Sequence, residues 1–505
     1  MRKRRWTART ISRSIVLFLL AGVGLFAVST SAFALDCTAG SGTDFDGDGL
    51  TDLAIGDPDA TVGSASRSGR VHIAYGDGTK LTITQANFAD NDAAAGDRFG
   101  HALAATDWNG DGCTDLLVGT PFEDWSNNTL ADAGVVVFIP GHPDGLNTAG
   151  AVTWPQTAFA SAEGNEAGDQ FGYSLAAGKM SNGTPYVLAG APGEMVSGFD
   201  SAGLAMYRTP SAGVAIHQNS DGVGGSAEAG DLFGYAVAGT ETRLAIGSPG
   251  ESGGTALRAG FVQVFTQNGA TTVPPQLGSA DQGSDLISGS AETGDLMGYS
   301  LDMVDYRPTS TTTATVLAVS APGEDGTTDV DGGWVFELDA AGAVTERLAF
   351  DQDTSGVAGA FEPGDLFGAS LSAVNRTPGA VVTWDDVLLA VGSPGEDVGT
   401  VRPYTDRGWV QGFSLIGAPG DHGFDPTSEL NDAGADWRSD MQLGTWIYAT
   451  VNHLMIADPL AESPAVYAVP WNDLVSDGED PVAVYRPSDW GVSEATVGSF
   501  GSSMI

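Results

Sequence analysis

Two short stretches place acids at alternating positions: DFDGDGLTD over 44–52 and DWNGDGCTD over 107–115. In the first, Asp44, Asp46, Asp48 and Asp52 stand at positions 1, 3, 5 and 9; in the second, Asp107, Asn109, Asp111 and Asp115 do. Alternate side chains of a tight loop converge on one point, and Gly49 or Gly112 permits the sharp turn. Leu50 and Cys113, at position 7, would add backbone carbonyls. An all-oxygen, carboxylate-rich cage of this kind suits Ca²⁺ rather than zinc or a softer metal. An Asx-turn hairpin needing no ion is the alternative, although acids clustered without a cation repel one another. Comparable stretches elsewhere, such as AGKMSNGTPY and AGTETRLA, lack the ligands, so two Ca²⁺ sites are expected.

A second set of acids follows a longer rhythm. Asp97, Asp169, Asp231, Asp295 and Asp365 each stand two residues before a Phe-Gly-type pair, and Glu194, Glu251, Glu324 and Glu396 follow Pro-Gly turns. They could crown an axis and attract a cation or basic ligand. The favoured alternative is that each caps a turn, because satisfying backbone groups recurs with a fold whereas a site seldom does. Among nucleophilic and metal motifs, no HExxH, strand-to-helix GxSxG elbow or phosphate-cradling loop is found. The six histidines, His72, His101, His142, His217, His422 and His453, are scattered without ligand spacing. Paired carboxylates for glycosidic cleavage could still hide among 64 acids.

The elements that must position these loops are repeats. Phe-Gly-type pairs begin at Phe99, Phe171, Phe233, Met297, Phe367, Leu443 and Phe500, and turn prolines stand at Pro58, Pro121, Pro192, Pro249, Pro322, Pro394 and Pro459. The prolines lie 57 to 73 residues apart, room for four short strands and their loops. The large residue of each pair would wedge between neighbouring units while its Gly permits close approach. Runs such as AGVVVFIPG and GGWVFELDA read as strands packed on both faces. IGAPG at Ile416 follows such a third strand and is a decoy. Pro58 has no Phe-Gly strand before it, and Phe500 has no Pro turn after it. The tail ATVGSFGSSMI therefore supplies the strand that the first unit lacks. Closing a ring in this way protects the strand edges. The fold expected is all-β, a seven-bladed β-propeller closed by a C-terminal strand completing the first blade.

The repeat resembles the FG-GAP repeat of integrin α-subunit N-terminal propellers and of bacterial secreted relatives, in its Phe-Gly pairs, Gly-x-Pro turns and DxDxDGxxD-type loops. The resemblance covers essentially all of 35–505. It implies a propeller with Ca²⁺ loops on one face and partner binding on the other. No Arg-Gly-Asp tripeptide occurs, and the receptor role of integrins is not carried over.

Residues 1–34 read as a secretory signal peptide. A basic start (Arg2 to Arg5, Arg9, Arg13) precedes an apolar stretch from Ile15 to Val28, and Ala32-Phe33-Ala34 forms a cleavage site. An exported protein with two cysteines suggests a Cys37–Cys113 disulfide. The formal charge of −43 repels phosphate backbones, so nucleic-acid binding is excluded, and no other apolar run would insert stably in a membrane. The expected protein is a secreted, calcium-binding scaffold for adhesion or for an unidentified protein or glycan ligand, with basic character favoured by charge. The second reading is an extracellular hydrolase acting on glycan or lipid in the central pocket. Loops Phe122 to Asp132 and Asp397 to Asp406, with Trp125 and Tyr404, are candidates for a partner surface.

Overall fold

The computed structural model describes residues 37 and 42–505, apart from 89–92, 126–128, 285, 326–330, 341, 399–403, 419–422 and 477. The signal-peptide segment lies outside the described residues.

Short antiparallel strands dominate and form seven sheets. In the second blade Ala102–Thr106, Asp115–Thr120, Val135–Ile139 and Val152–Trp154 pair in order from the axis outward. Its third strand, VVVFI, is buried along its whole length. Stacking between two neighbouring sheets requires apolar side chains on both faces of that strand, and β-branched residues fit its pleat. The same order recurs in blade 3 (Leu175 to Ile216), blade 4 (Ala236 to Ala280), blade 5 (Leu301 to Phe350) and blade 7 (Ile447 to Tyr485). Among the described residues helix is confined to single turns or little more, such as Gln156–Phe159, Thr427–Asp432 and Trp471–Ser476. The protein is a seven-bladed β-propeller.

The first blade consists of Leu53–Asp57, Arg70–Ala74 and Lys80–Ile83, with the C-terminal tail beside Leu53–Asp57. Ala54 N–H donates to Ile505 O at 2.8 Å and Ile505 N–H returns a bond to Ala54 O at 3.1 Å. Gly56 N–H donates to Ser503 O and Gly501 N–H to Gly56 O, both at 2.8 Å. The last residues thus form the innermost strand of the blade that opens the ring.

Blade 6 departs from the four-strand plan, with three strands, Ser370–Asn375, Val387–Ser393 and Trp409–Ser414. Phe424 stands in for the fourth through a reciprocal pair of hydrogen bonds with Gly412, at 2.9 and 3.1 Å. The IGAPG run lies between these partners and follows the third strand.

Seven buried clusters fill the interfaces between consecutive blades, and each contains one Phe-Gly-type residue: Phe99, Phe171, Phe233, Met297, Phe367, Leu443 and Phe500. Phe171, for example, lies between blades 2 and 3 with Trp154, Val187 and Met206, its ring 5.0 Å edge-on from Phe159. Burying such a ring is worth about 1.5–3 kcal/mol. In five of the seven interfaces the glycine of the pair meets a second glycine, while Ser320 faces Gly368 and Ala457 faces Gly501. A Cβ added to Gly119, in the second strand of blade 2, would stand 2.1 Å from Gly172 O in blade 3. Gly134, which opens the third strand of blade 2 with φ +76°, likewise abuts Phe171. Blades therefore touch backbone to backbone at these points, which any side chain would prevent.

Candidate functional site

The acid-bearing loops lie at one end of the blades, where innermost strands turn into second strands. In the first loop, carboxylate oxygens of Asp44, Asp46 and Asp48 lie within 4.8 Å of one another. Asp44 is buried, and its two oxygens accept N–H groups from Asp48 and Gly49 at 3.1 and 3.0 Å. Asp48 Oδ1 accepts from Leu50 N–H at 2.7 Å. Burial, with Asp48 and Asp44 alongside, holds the Asp46 carboxyl above its ordinary pKa. Asp52 faces the hairpin: it takes N–H groups from Phe45 and Gly76 at 2.7 and 2.9 Å, and burial pushes its pKa up to about 7. The donor set is entirely oxygen and fits a hard cation.

The second loop is built differently. Asp107 turns one oxygen to Lys179 Nζ, 3.0 Å away, and accepts Gly110 N–H with the other. Asn109 donates to Asp111 at 2.8 Å, and Asp111 also accepts Cys113 N–H at 3.0 Å. Asp115 is buried and takes N–H groups from Trp108, Asn109 and Gly141, with burial raising its pKa to about 6. Asp107, Asp111 and Asp115 do not converge as the acids of the first loop do. Sequence spacing is equal in the two loops; a lysine 72 residues away separates them.

Cys37 and Cys113 form a disulfide with a Cα–Cα distance of 5.1 Å. The bridge holds Cys37 against both loops. A Cβ on Gly47 of the first loop, or on Gly112 of the second, would run into Cys37 at 2.6 and 2.9 Å.

The opposite end of the blades carries the rhythmic acids. Asp97, Asp169, Asp231, Asp295 and Asp365 each accept the backbone N–H three residues earlier, at 2.6 to 2.8 Å. The glutamate after each turn (Glu123, Glu194, Glu251, Glu324, Glu396) accepts a glutamine amide from the preceding blade: Gln85, Gln156, Gln218, Gln282 and Gln352 respectively. These acids tie turns and neighbouring blades. Glu123 belongs to the set through the turn at Pro121 and was not evident from the Pro-Gly pattern, since Phe122 replaces the glycine. The glutamines were also missed. Their signal is one Gln just after each outermost strand of blades 1 to 5.

An aromatic crescent lies at the same end. The residues directly after the Phe-Gly-type pairs of blades 2 to 5 are His101, Tyr173, Tyr235 and Tyr299, all half-buried. Consecutive ring centroids are 4.7, 5.1 and 5.2 Å apart, so the four rings follow one another from blade to blade. Ala369, Thr445 and Ser502 occupy this position in the other blades and leave the arc open. A cavity of about 460 Å³ runs along the innermost strands of all seven blades. Its one acidic lining residue is Asp302, whose carboxylate accepts N–H groups from Ala373 and Met303, each at 2.7 Å. Burial raises its pKa to about 6. Of the partner-surface candidates, Tyr404 is exposed, but Trp125 packs against the core between blades 1 and 2.

Comparison with known proteins fits this architecture. The FG-GAP repeat family model matches residues 99–153, and that of the FG-GAP-like repeat matches 44–118, which includes both acidic loops. Phosphatidylinositol-glycan-specific phospholipase D of Rattus norvegicus is 30% identical over 149 residues, and that of Mus musculus 26% over 231. The matched segments cover 30% and 45% of this chain but only 17% and 25% of those relatives. Integrin alpha ina-1 of Caenorhabditis elegans is 47% identical over 45 residues, 9% of this chain and 4% of that protein. The periplasmic gluconolactonase PpgL of Pseudomonas aeruginosa aligns over 89% of this chain and 98% of its own with a TM-score of 0.42 and 12% identity. The chain is a seven-bladed β-propeller that carries FG-GAP repeats over 44–153 and resembles the propeller of integrin α.

Proposed function

We propose that this protein is an exported, calcium-binding propeller whose axial aromatic crescent receives a basic group of a protein ligand. The observation that carries this reading is the run of His101, Tyr173, Tyr235 and Tyr299 rings on a chain of formal charge −43. Aromatic faces attract a guanidinium or ammonium group, more strongly where water is excluded, and the surrounding field draws such a ligand in. Acids of raised pKa that recur blade by blade support a scaffold, whereas catalysis calls for an off-symmetry cluster. The disulfide supports export. Loop 44–52 holds Ca²⁺ through Asp44, Asp46 and Asp48, and loop 107–115 holds a second ion only where Ca²⁺ displaces Lys179 from Asp107.

One observation favours a second reading, hydrolysis. Asp302 is a titrating acid that breaks the repeat inside the axial cavity, and phospholipase D relatives share part of the chain. One experiment separates the two. The Ca²⁺-loaded protein is titrated with arginine-containing and matched citrulline-containing peptides and assayed for release from inositol-glycan lipid. The scaffold predicts arginine-selective binding that weakens about tenfold in Tyr235→Ala, the loss of about 1.4 kcal/mol expected of a cation–π contact. Equal binding of both peptides, with turnover abolished by Asp302→Asn, would establish the hydrolase.

A further inference from the structure

Blade 5 carries a feature that the turn-tying role of its acids leaves over. Carboxylate oxygens of Glu292, Asp295 and Glu324 lie within 4.8 Å of one another. Glu292 and Asp295 come from the approach to the Met297-Gly298 pair, Glu324 from the turn after the second strand, at the end of the blades opposite the acidic loops. Turn-tying consumes two of their oxygens: Asp295 Oδ2 accepts Glu292 N–H at 2.6 Å, and Glu324 Oε2 accepts Gln282 Nε2–H at 2.6 Å. Asp295 is fully buried, yet its Oδ1 has no hydrogen-bond donor. Of the five aspartates at this repeat position, only Asp295 keeps such a bare buried oxygen among the described residues. A buried carboxylate oxygen without a donor carries a substantial desolvation cost.

The charges bearing on the group make the shortfall worse. The charged groups acting on Asp295 are Glu292, Asp325 and Asp331, all acids. Those acting on Glu324 are Asp295, Glu292 and Asp325, again all acids. A capping aspartate needs neither a bare oxygen nor two further carboxylates beside it. A hard divalent cation needs both, because it takes oxygen ligands from several carboxylates at once.

We propose that Glu292, Asp295 and Glu324 form a third divalent-cation site, of oxygen-ligand type, on the face of the propeller opposite the acidic loops. The ion takes Asp295 Oδ1 and the free oxygens of the two glutamates while Gln282 and the Glu292 N–H keep their bonds. It thus braces the junction of blades 4 and 5, since Gln282 follows the outermost strand of blade 4. Blade 3 has a similar triad in Glu166, Asp169 and Glu194, without the bare buried oxygen. In blade 2 Ala94 replaces the first acid.

The test uses full-length protein in which the loops are disabled by Asp46→Asn and Asp111→Asn. Mn²⁺ binding is followed by the loss of its free-ion EPR signal, and Ca²⁺ competes for the same site. The expected result is a remaining site that Asp295→Asn weakens at least about tenfold, the asparagine keeping a carbonyl for the Glu292 N–H so that the fold survives. Asp169→Asn, the equivalent change in blade 3, leaves that site in place. Absence of Mn²⁺ binding in the loop-disabled protein overturns the proposal, as does binding unaffected by Asp295→Asn in a variant whose thermal unfolding matches its parent. Glu324→Gln supplies a second variant should Asp295→Asn fail to fold: it keeps the acceptor for Gln282 and must also weaken Mn²⁺. This result is independent of the peptide-binding reading, which concerns the aromatic crescent.

Discussion

Blades 2 to 6 on the one hand and blades 7 and 1 on the other hold the turn after the second strand with different polar partners. In blades 2 to 6 the turn carries a glutamate that burial drives toward its neutral form, bonded to a glutamine amide of the preceding blade. In blades 7 and 1 the acid stands at the position before the proline and faces an arginine. Asp458 is buried and receives Arg438 at 2.8 Å on one oxygen and 2.5 Å on the other. Asp57 is fully buried, 3.7 Å from Arg70 Nε, and accepts Gly498 and Ser499 N–H at 3.0 and 2.8 Å. Arg70 in turn donates to Thr61 O and Thr496 O at 2.8 and 2.7 Å. Between blades 2 and 6 the chain passes directly from one blade to the next, and neutral hydrogen bonds suffice. The seam between blades 7 and 1 must bring together segments more than 400 residues apart, and the Arg70 guanidinium spans it with a bond to Thr496 O; such charge-assisted bonds are about twice as strong as neutral ones.

The largest effect that would break this contrast is removal of the tail. Deleting residues 499–505 takes away Phe500, the innermost strand of blade 1 and an N–H donor to Asp57. The loss should exceed the about 5 kcal/mol that a single core truncation costs and abolish one cooperative unfolding transition by circular dichroism. A retained sharp transition at the parent temperature would show that the ring does not depend on its seam. Next comes Arg438→Met, which leaves Asp458 buried without its counter-charge. About 3–5 kcal/mol should be lost in urea unfolding, and a change below 1 kcal/mol would remove the distinction between the two kinds of turn.

The pH response sharpens the contrast with a smaller effect. Glu123 titrates near 8, and Glu251 and Glu396 near 7, against an ordinary 4.5, burial being the first cause in each. Because the folded-state values are raised, their contribution is complete below about pH 4.5 and is lost as pH rises through 7 to 8. Urea midpoints should therefore fall from pH 5 to pH 9 in Ca²⁺-saturated protein. The triple variant Glu123→Gln, Glu251→Gln, Glu396→Gln keeps an acceptor for each glutamine and has no proton to lose, so its profile should be flatter by a measurable margin. An identical slope in parent and variant would mean that these acids do not set the alkaline limit.

Much of this was legible along the chain. Phe-Gly and proline spacing identified seven blades, and the mismatch between Pro58 and Phe500 foretold how the ring closes, because a propeller repeats one supersecondary unit and each unit leaves its own trace. The cysteine pairing was also readable, since a chain with two cysteines offers one bridge. Less was visible at the sites. The two acidic loops look alike in sequence but differ in space, since Lys179 is carried to Asp107 by blade 3. The aromatic crescent was overlooked because His101, Tyr173, Tyr235 and Tyr299 are unremarkable singly and meet only around the axis. Trp125, a partner-surface candidate by sequence, is half-buried against the core between blades 1 and 2.

Local residue chemistry determined which segments become strands, where they turn and how many blades there are, for those choices depend on periodicity and backbone freedom within a few residues. Only the tertiary structure decided which acids stay protonated, which loop gathers its carboxylates and which rings touch. Those outcomes depend on burial and on neighbours 33 to 442 residues away, and the free energy of a charge or a ring contact is set by what surrounds it, not by its place in the chain.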